Sequence, residues 1–164
     1  MKKTFVAALI ALTLVMLAVT APARAEAQRT PVAGSEHMYF GAPGRVWVAD
    51  GWVQLRDLPL TGTFNFGALQ GDETQLVNAR LDPATGDGVV WGEVTYTDSA
   101  TGVTCSGVRQ GTLDAYLITA RITATCSDGS LLQGTLQDTS VVFTPGAPIP
   151  SEVYSDFDGE LLTR

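Results

Sequence analysis

Apolar and polar residues alternate with a period of two through most of the chain between residues 74 and 138. Five runs carry the pattern: Thr74 to Leu81, Val89 to Thr97, Val103 to Leu113, Tyr116 to Cys126 and Leu131 to Asp138. In the fourth, Tyr116, Ile118, Ala120, Ile122, Ala124 and Cys126 occupy every second position, with Leu117, Thr119, Arg121, Thr123 and Thr125 between them. A helix would bring residues three and four apart onto one face, so this spacing predicts β-strands with one side turned to a core. The joints predict hairpins. Asp82-Pro83-Ala84-Thr85-Gly86-Asp87-Gly88, Ser99-Ala100-Thr101-Gly102 and Ser127-Asp128-Gly129-Ser130 supply glycines that take positive φ, and the first also a proline whose ring fixes a negative φ suited to turns. Asp114-Ala115 is a weaker joint, placed by the runs on either side.

Outside this array the pattern continues less regularly. Arg45 to Leu55 is expected as a strand pair, or one bent strand, around Asp50-Gly51. Leu60 to Leu69 is expected as a further strand with Gly62, Phe64, Phe66 and Ala68 on one face, and Gln70-Gly71-Asp72-Glu73 as the turn after it. Pro145, Pro148 and Pro150 forbid regular pairing across their stretch, because proline lacks the N–H that a ladder needs. Val153 to Leu162 then predicts a short returning strand over an open sheet edge, with Asp156, Asp158 and Glu160 as the charges that protect such an edge. Residues 26 to 36 have no periodicity and are expected as a flexible leader, which leaves 37 to 164 as a single domain with a Pro-rich C-terminal segment.

The expected fold is all-β, a small antiparallel up-and-down barrel of about eight strands, with a β-sandwich as the alternative. Short joints between successive runs favour the barrel, since a Greek-key sandwich needs a longer connection between strands that are not neighbours in sequence. The two cysteines refine the register. Cys126 lies in the apolar phase of its run, and a bridge between adjacent strands puts Cys105 in the same phase, with Gly107, Arg109, Gly111 and Leu113.

Met1 to Ala25 stands apart from the fold. Lys2 and Lys3 precede an apolar stretch from Phe5 to Val19, and Ala23-Arg24-Ala25 has the small-x-small form of a signal-peptidase site. A cleaved signal peptide implies export to the periplasm, cell surface or medium, where a disulfide persists. Its removal takes Lys2, Lys3 and Arg24 but no acid, so the net charge moves from −7 to −10 and no lysine remains. Such a chain is a poor partner for nucleic acid or, after cleavage, for an anionic membrane, and it cannot form a lysine Schiff base.

Arg80-Leu-Asp-Pro-Ala-Thr-Gly-Asp-Gly-Val-Val-Trp-Gly-Glu, Thr104-Cys105-Ser106-Gly107 and Leu131-Leu132-Gln133-Gly134-Thr135 resemble a loose pattern in uncharacterised secreted bacterial proteins similar to the allene oxide cyclase-like barrel group. The resemblance spans residues 44 to 138 and implies an eight-stranded barrel. It carries over no catalytic residue. Lipocalins begin with Gly-x-Trp, whereas Gly44-Arg45-Val46-Trp47 has one residue more.

Candidate chemistry is sparse. His37 is the single histidine and is expected at the surface. Asp72, Glu73, Asp82 and Asp87 offer carboxylates for calcium, but their spacing fits no EF-hand loop and suits Asx turns better. No metal or cofactor is assigned. Arg109 stands out, because its phase turns a charge inward, where it must be paired or wet. It is a candidate to clamp a ligand carboxylate, with Tyr96, Tyr116, Phe64 and Phe66 of the expected inner phase around the ligand; the competing expectation is a paired structural arginine among core aromatics. Three roles follow in order of preference: a structural or interaction module of the cell exterior, a barrel that binds a small apolar or amphipathic molecule, and a cyclase-like enzyme. A cavity in the barrel separates the first two. Oligomeric state is left unassigned.

Overall fold

A computed structural model describes residues 27–41, 44–146 and 149–163. The expected signal peptide, Met1 to Ala25, lies outside the described residues. Among the described residues nine strands follow one another: β1 (Gln28–Phe40), β2 (Arg45–Ala49), β3 (Trp52–Asn65), β4 (Gln70–Leu81), β5 (Gly88–Asp98), β6 (Thr104–Asp114), β7 (Leu117–Cys126), β8 (Leu131–Val142) and β9 (Glu152–Thr163). All pairings are antiparallel. Strands β3 to β9 form a meander in sequence order, β9 pairs with β1, and β1 pairs back onto β3. The result is a closed eight-stranded antiparallel barrel, as the alternation and short joints predict. β2 adds no ninth stave: it hydrogen-bonds to Trp52–Arg56 at the start of β3, while β1 takes Leu60–Asn65 further along the same edge.

Closure depends on a segment whose sequence gave no signal. The expected flexible leader is instead the first half of β1, which runs unbroken from Gln28 and pairs with almost the whole of β9. Its local pattern is weak because Pro31 and Gly34 interrupt it and because one inward residue, Glu36, is charged. The strand is held by two neighbours distant in sequence rather than by its own propensity. Gly62 makes the seam possible: a Cβ there would collide with the backbone of His37 and the side chain of Met38 on β1.

Two further boundaries differ from expectation. Trp52 to Asn65 is one strand, bent by a bulge between Leu55 and Leu58 where Asp57 adopts φ 54°, and Phe66 is buried from the loop beyond it. Tyr116 belongs to the turn rather than to the inner phase of β7. Ala115 and Tyr116, at φ 49° and 71°, are the two central residues of a hairpin of the type that requires positive φ at both. The turn is anchored by Ala115 N–H, which donates to Asp87 Oδ1 at 3.0 Å, and Tyr116 N–H, which donates to Gly86 O at 3.2 Å.

The disulfide and the turns after β4, β5 and β7 form as expected, but Gln70-Gly71-Asp72-Glu73, expected as a turn, is the start of β4, and the chain reverses before it at Gly67 and Ala68. Cys105 and Cys126 are directly opposed on β6 and β7 and bonded to each other. Closing a loop of 21 residues in this way stabilises the fold by about 3 kcal/mol in the chain-entropy account. Asp82 Oδ1 accepts the Ala84 N–H at 2.8 Å and Asp128 Oδ1 the Ser130 N–H at 2.9 Å, the Asx turns that the spacing favours. His37 lies on the outer face, its Nε2 2.9 Å from Glu152 Oε2 and its ring stacked on Tyr154 at 4.1 Å.

Candidate ligand cavity

Inward-facing side chains divide the barrel into three levels. Toward the end that carries the disulfide, Phe64, Phe66, Tyr96 and Phe157 meet near the barrel axis, with Phe66 stacked on Phe157 at 4.2 Å and Tyr96 edge-on to Phe64 at 5.1 Å. Large rings reach across the interior, so this level is filled. Toward the other end, the inward positions hold aliphatic residues: Leu55, Leu58 and Leu60 on β3, Val77, Ala79 and Leu81 on β4, Val90 on β5 and Leu113 on β6. These line the walls of a cavity of about 420 Å³. That volume lies within the range of small-molecule sites.

The mouth of the cavity is formed by Val46, Trp47 and Val48 of β2, Pro83 of the β4–β5 loop, Tyr116, and Ile149 and Pro150 before β9. The β2–β3 hairpin is held over it by cation–π stacking: the Arg56 guanidinium sits 4.4 Å from the Trp91 ring and 5.7 Å from that of Trp47, and Nη1 donates to Leu55 O at 2.9 Å. Tyr116 OH donates to Pro83 O at 3.4 Å, which ties the turn to the loop beside it. Val48 is 69 % exposed and Trp47 42 %, so an apolar rim surrounds an apolar chamber.

Between the filled and hollow levels lies a belt of buried polar groups, contributed by six strands. Arg109 Nη1 donates to Gln75 Oε1, and Gln75 Nε2 donates in turn to Glu73 Oε1. Tyr96 OH donates to Glu36 Oε1 at 2.7 Å. Asp138 accepts from Ser155 Oγ at 2.8 Å and from the Ile118 N–H at 3.0 Å. Of this belt, Arg109 and Asp138 border the cavity and form its floor. Among the described residues, three buried side-chain atoms have no partner: Glu36 Oε2, Glu73 Oε2 and Arg109 Nε.

Burial sets the electrostatics. It pushes Glu36 up to about 7, against the opposing pull of the Arg109 charge and the Tyr96 hydrogen bond. Glu73 is raised well above the usual carboxylate range by burial and by the neighbouring Glu36 charge, and burial also raises Asp138 and Tyr96. One guanidinium thus shares the interior with three carboxyl groups that resist ionisation.

Of the residues singled out from sequence, Arg109 and Tyr116 border the cavity, at floor and mouth. Tyr96, Phe64 and Phe66 pack in the filled level, where Tyr96 joins the belt through its hydroxyl. Sequence reasoning missed Glu36, Gln75 and Asp138, and placed Glu73 in a turn as an exposed acid, whereas it is buried in β4. The signal that turned Arg109 inward would have found most of them: Glu73 and Gln75 extend the phase of Val77, Ala79 and Leu81 backwards, and Asp138 extends that of Leu132 and Leu136. Glu36 lacked it, lying in the presumed leader.

A second depression of about 470 Å³ runs along the outside of the barrel, bordered by Pro31, Arg121, Gln133 and Glu160. It lies where Gly134 and Gly159 leave a gap between solvated side chains, and no buried polar group is directed into it. Among the described residues there is no cluster of side chains suited to hold a metal ion, and no helix is long and apolar enough to cross a membrane. Comparison with protein families, curated proteins and solved structures finds no match to this chain.

Proposed function

We propose that the protein is an exported barrel that carries one small amphipathic molecule in its hollow half. The observation behind this reading is the asymmetry of the cavity, with aliphatic walls and an apolar mouth above a floor where Arg109 and Asp138 supply the polar groups. A site of this form buries an apolar body and orients it by a few polar contacts. The enclosed chamber is what favours binding over a purely structural role at the cell exterior, because a filled barrel has nothing to hold. Export rests on the signal-like N-terminus, and the disulfide is consistent with it. Kinship with the allene oxide cyclase-like barrels belongs to the same proposal, supported by the strand count, and gives no reason to assign catalysis.

Native mass spectrometry of exported protein, followed by thermal melts with a panel of medium-chain amphiphiles, tests the reading. A ligand at one hundred times its Kd adds about 2.7 kcal/mol to the native state, which raises Tm by several degrees in a domain of this size. A melt that no apolar or amphipathic compound moves would overturn it.

A further inference from the structure

The belt constrains which molecule the cavity accepts. Arg109 and Asp138 both border the floor, and no ion pair joins them among the described residues. The guanidinium has one hydrogen-bond acceptor, Gln75, and its Nε has none. Behind it, Glu36 and Glu73 are 2 % and 1 % exposed and each keeps one oxygen without a partner. A ligand carboxylate bound to Arg109 would therefore be the fourth carboxyl group around one cation. A ligand ammonium would meet the guanidinium at the same floor. A head that both accepts and donates, and carries no charge, suits a donor and an acceptor that border one floor without pairing.

Resting on the cavity reading above, we propose that the site selects amphiphiles with an uncharged hydroxyl or primary amide head, which accepts from Arg109 and donates to Asp138, and discriminates against carboxylates and amines of the same chain. Arg109 is then a hydrogen-bond donor to a neutral head rather than a clamp for an anion. Glu36 behind it sets this preference, since at about pH 8 its ionised carboxylate already balances the guanidinium charge that a clamp would offer its ligand. Specificity arises by repulsion as much as by attraction.

The test uses decanol, decanamide, decanoate and decylamine against the full exported protein, with Kd from calorimetry. At about pH 8, decanol and decanamide are expected to bind and decanoate to bind roughly a hundredfold more weakly, the scale of a like-charge contact in a desolvated site. Glu36 does not border the cavity, so Glu36→Gln changes charge without changing the wall. That variant should tighten decanoate about tenfold, one charge's worth of repulsion, and leave decanol within about twofold. If the variant does not fold, wild type from about pH 8 to pH 6 supplies the same reading: the ratio of decanoate to decanol affinity rises as Glu36 takes up its proton. Decanoate or decylamine binding as tightly as decanol at pH 8 would overturn the head-group assignment and leave the cavity reading intact. Failure of all four to bind would remove the cavity reading, and this inference with it.

Discussion

The same strands build both halves of this barrel, yet the half ending at the Cys105–Cys126 bridge is packed and the half beneath the β2–β3 hairpin is hollow. The difference lies in side-chain reach. Phe64, Phe66, Tyr96 and Phe157 are long enough to meet across an eight-stranded barrel, whereas the shorter Val77, Ala79, Leu81 and Val90 line a cavity. Dense packing and open space are thereby separated along the barrel, with the polar belt between them. The packed half carries the disulfide and the aromatic contacts; the hollow half forgoes such contacts and leaves a cavity.

The strongest test of this division is a pair of truncations. Phe66→Ala removes a ring that contacts both Phe157 and Tyr96, and should lower unfolding free energy by about 4 kcal/mol. Val77→Ala, at a cavity wall, should cost about 1 kcal/mol, because the lost methyl groups already face empty space on one side. Urea melts that gave equal losses would end the contrast between the halves.

The belt makes a prediction of intermediate size. Glu36 has a usual value of 4.5 and stands at about 7 in the fold, so the native state holds a proton that the unfolded chain has released. Stability from this group is therefore greatest below about pH 4.5, falls as pH rises through 7, and is constant above it. The loss is about 3 kcal/mol over that window. Glu73 and Asp138 are raised as well and act in the same direction. Denaturant melts from pH 5 to pH 8 should show this decline, and Glu36→Gln should flatten it. A stability that climbs across the window would mean that the belt is ionised and paired, and that the boundary between the halves is an ordinary salt-bridge network.

The smallest expected change in stability comes from filling the hollow half. Ala79→Phe places a ring in the cavity, where there is room for it, so Tm should move by no more than a few degrees while binding of every ligand is lost. A large destabilisation would show that the chamber is too constrained to accept a ring.

How much of this was legible in the sequence depended on whether a residue's partners were near it. The run from Thr74 to Asp138 announced its strands, because β4 to β8 pair with their sequence neighbours through short turns and each alternates cleanly. Cys105 and Cys126 showed their pairing for the same reason, and Arg109 revealed itself as a charge in an apolar phase. Tyr116 was misplaced by one step because it continues the alternation of β7, although the two-residue turn takes it out of the strand. Phe64 and Phe66 carried no mark that distinguishes a ring filling the core from a ring lining a cavity.

Strand identity, inward phase and the bridge were thus determined by the sequence alone, through a two-residue period and local turn chemistry. Closure was decided only in three dimensions, since β1 takes its place between β9 and β3 by contacts spanning most of the chain, and Gly34 and Pro31 hide it from any local pattern. The cavity was decided there too. Whether eight inward phases fill a barrel depends on which side chains share a level, and that follows from the stagger of strands around the ring. The belt has the same origin: Glu36, Glu73, Arg109 and Asp138 are scattered over four strands, and closure of the ring gathers them around one guanidinium.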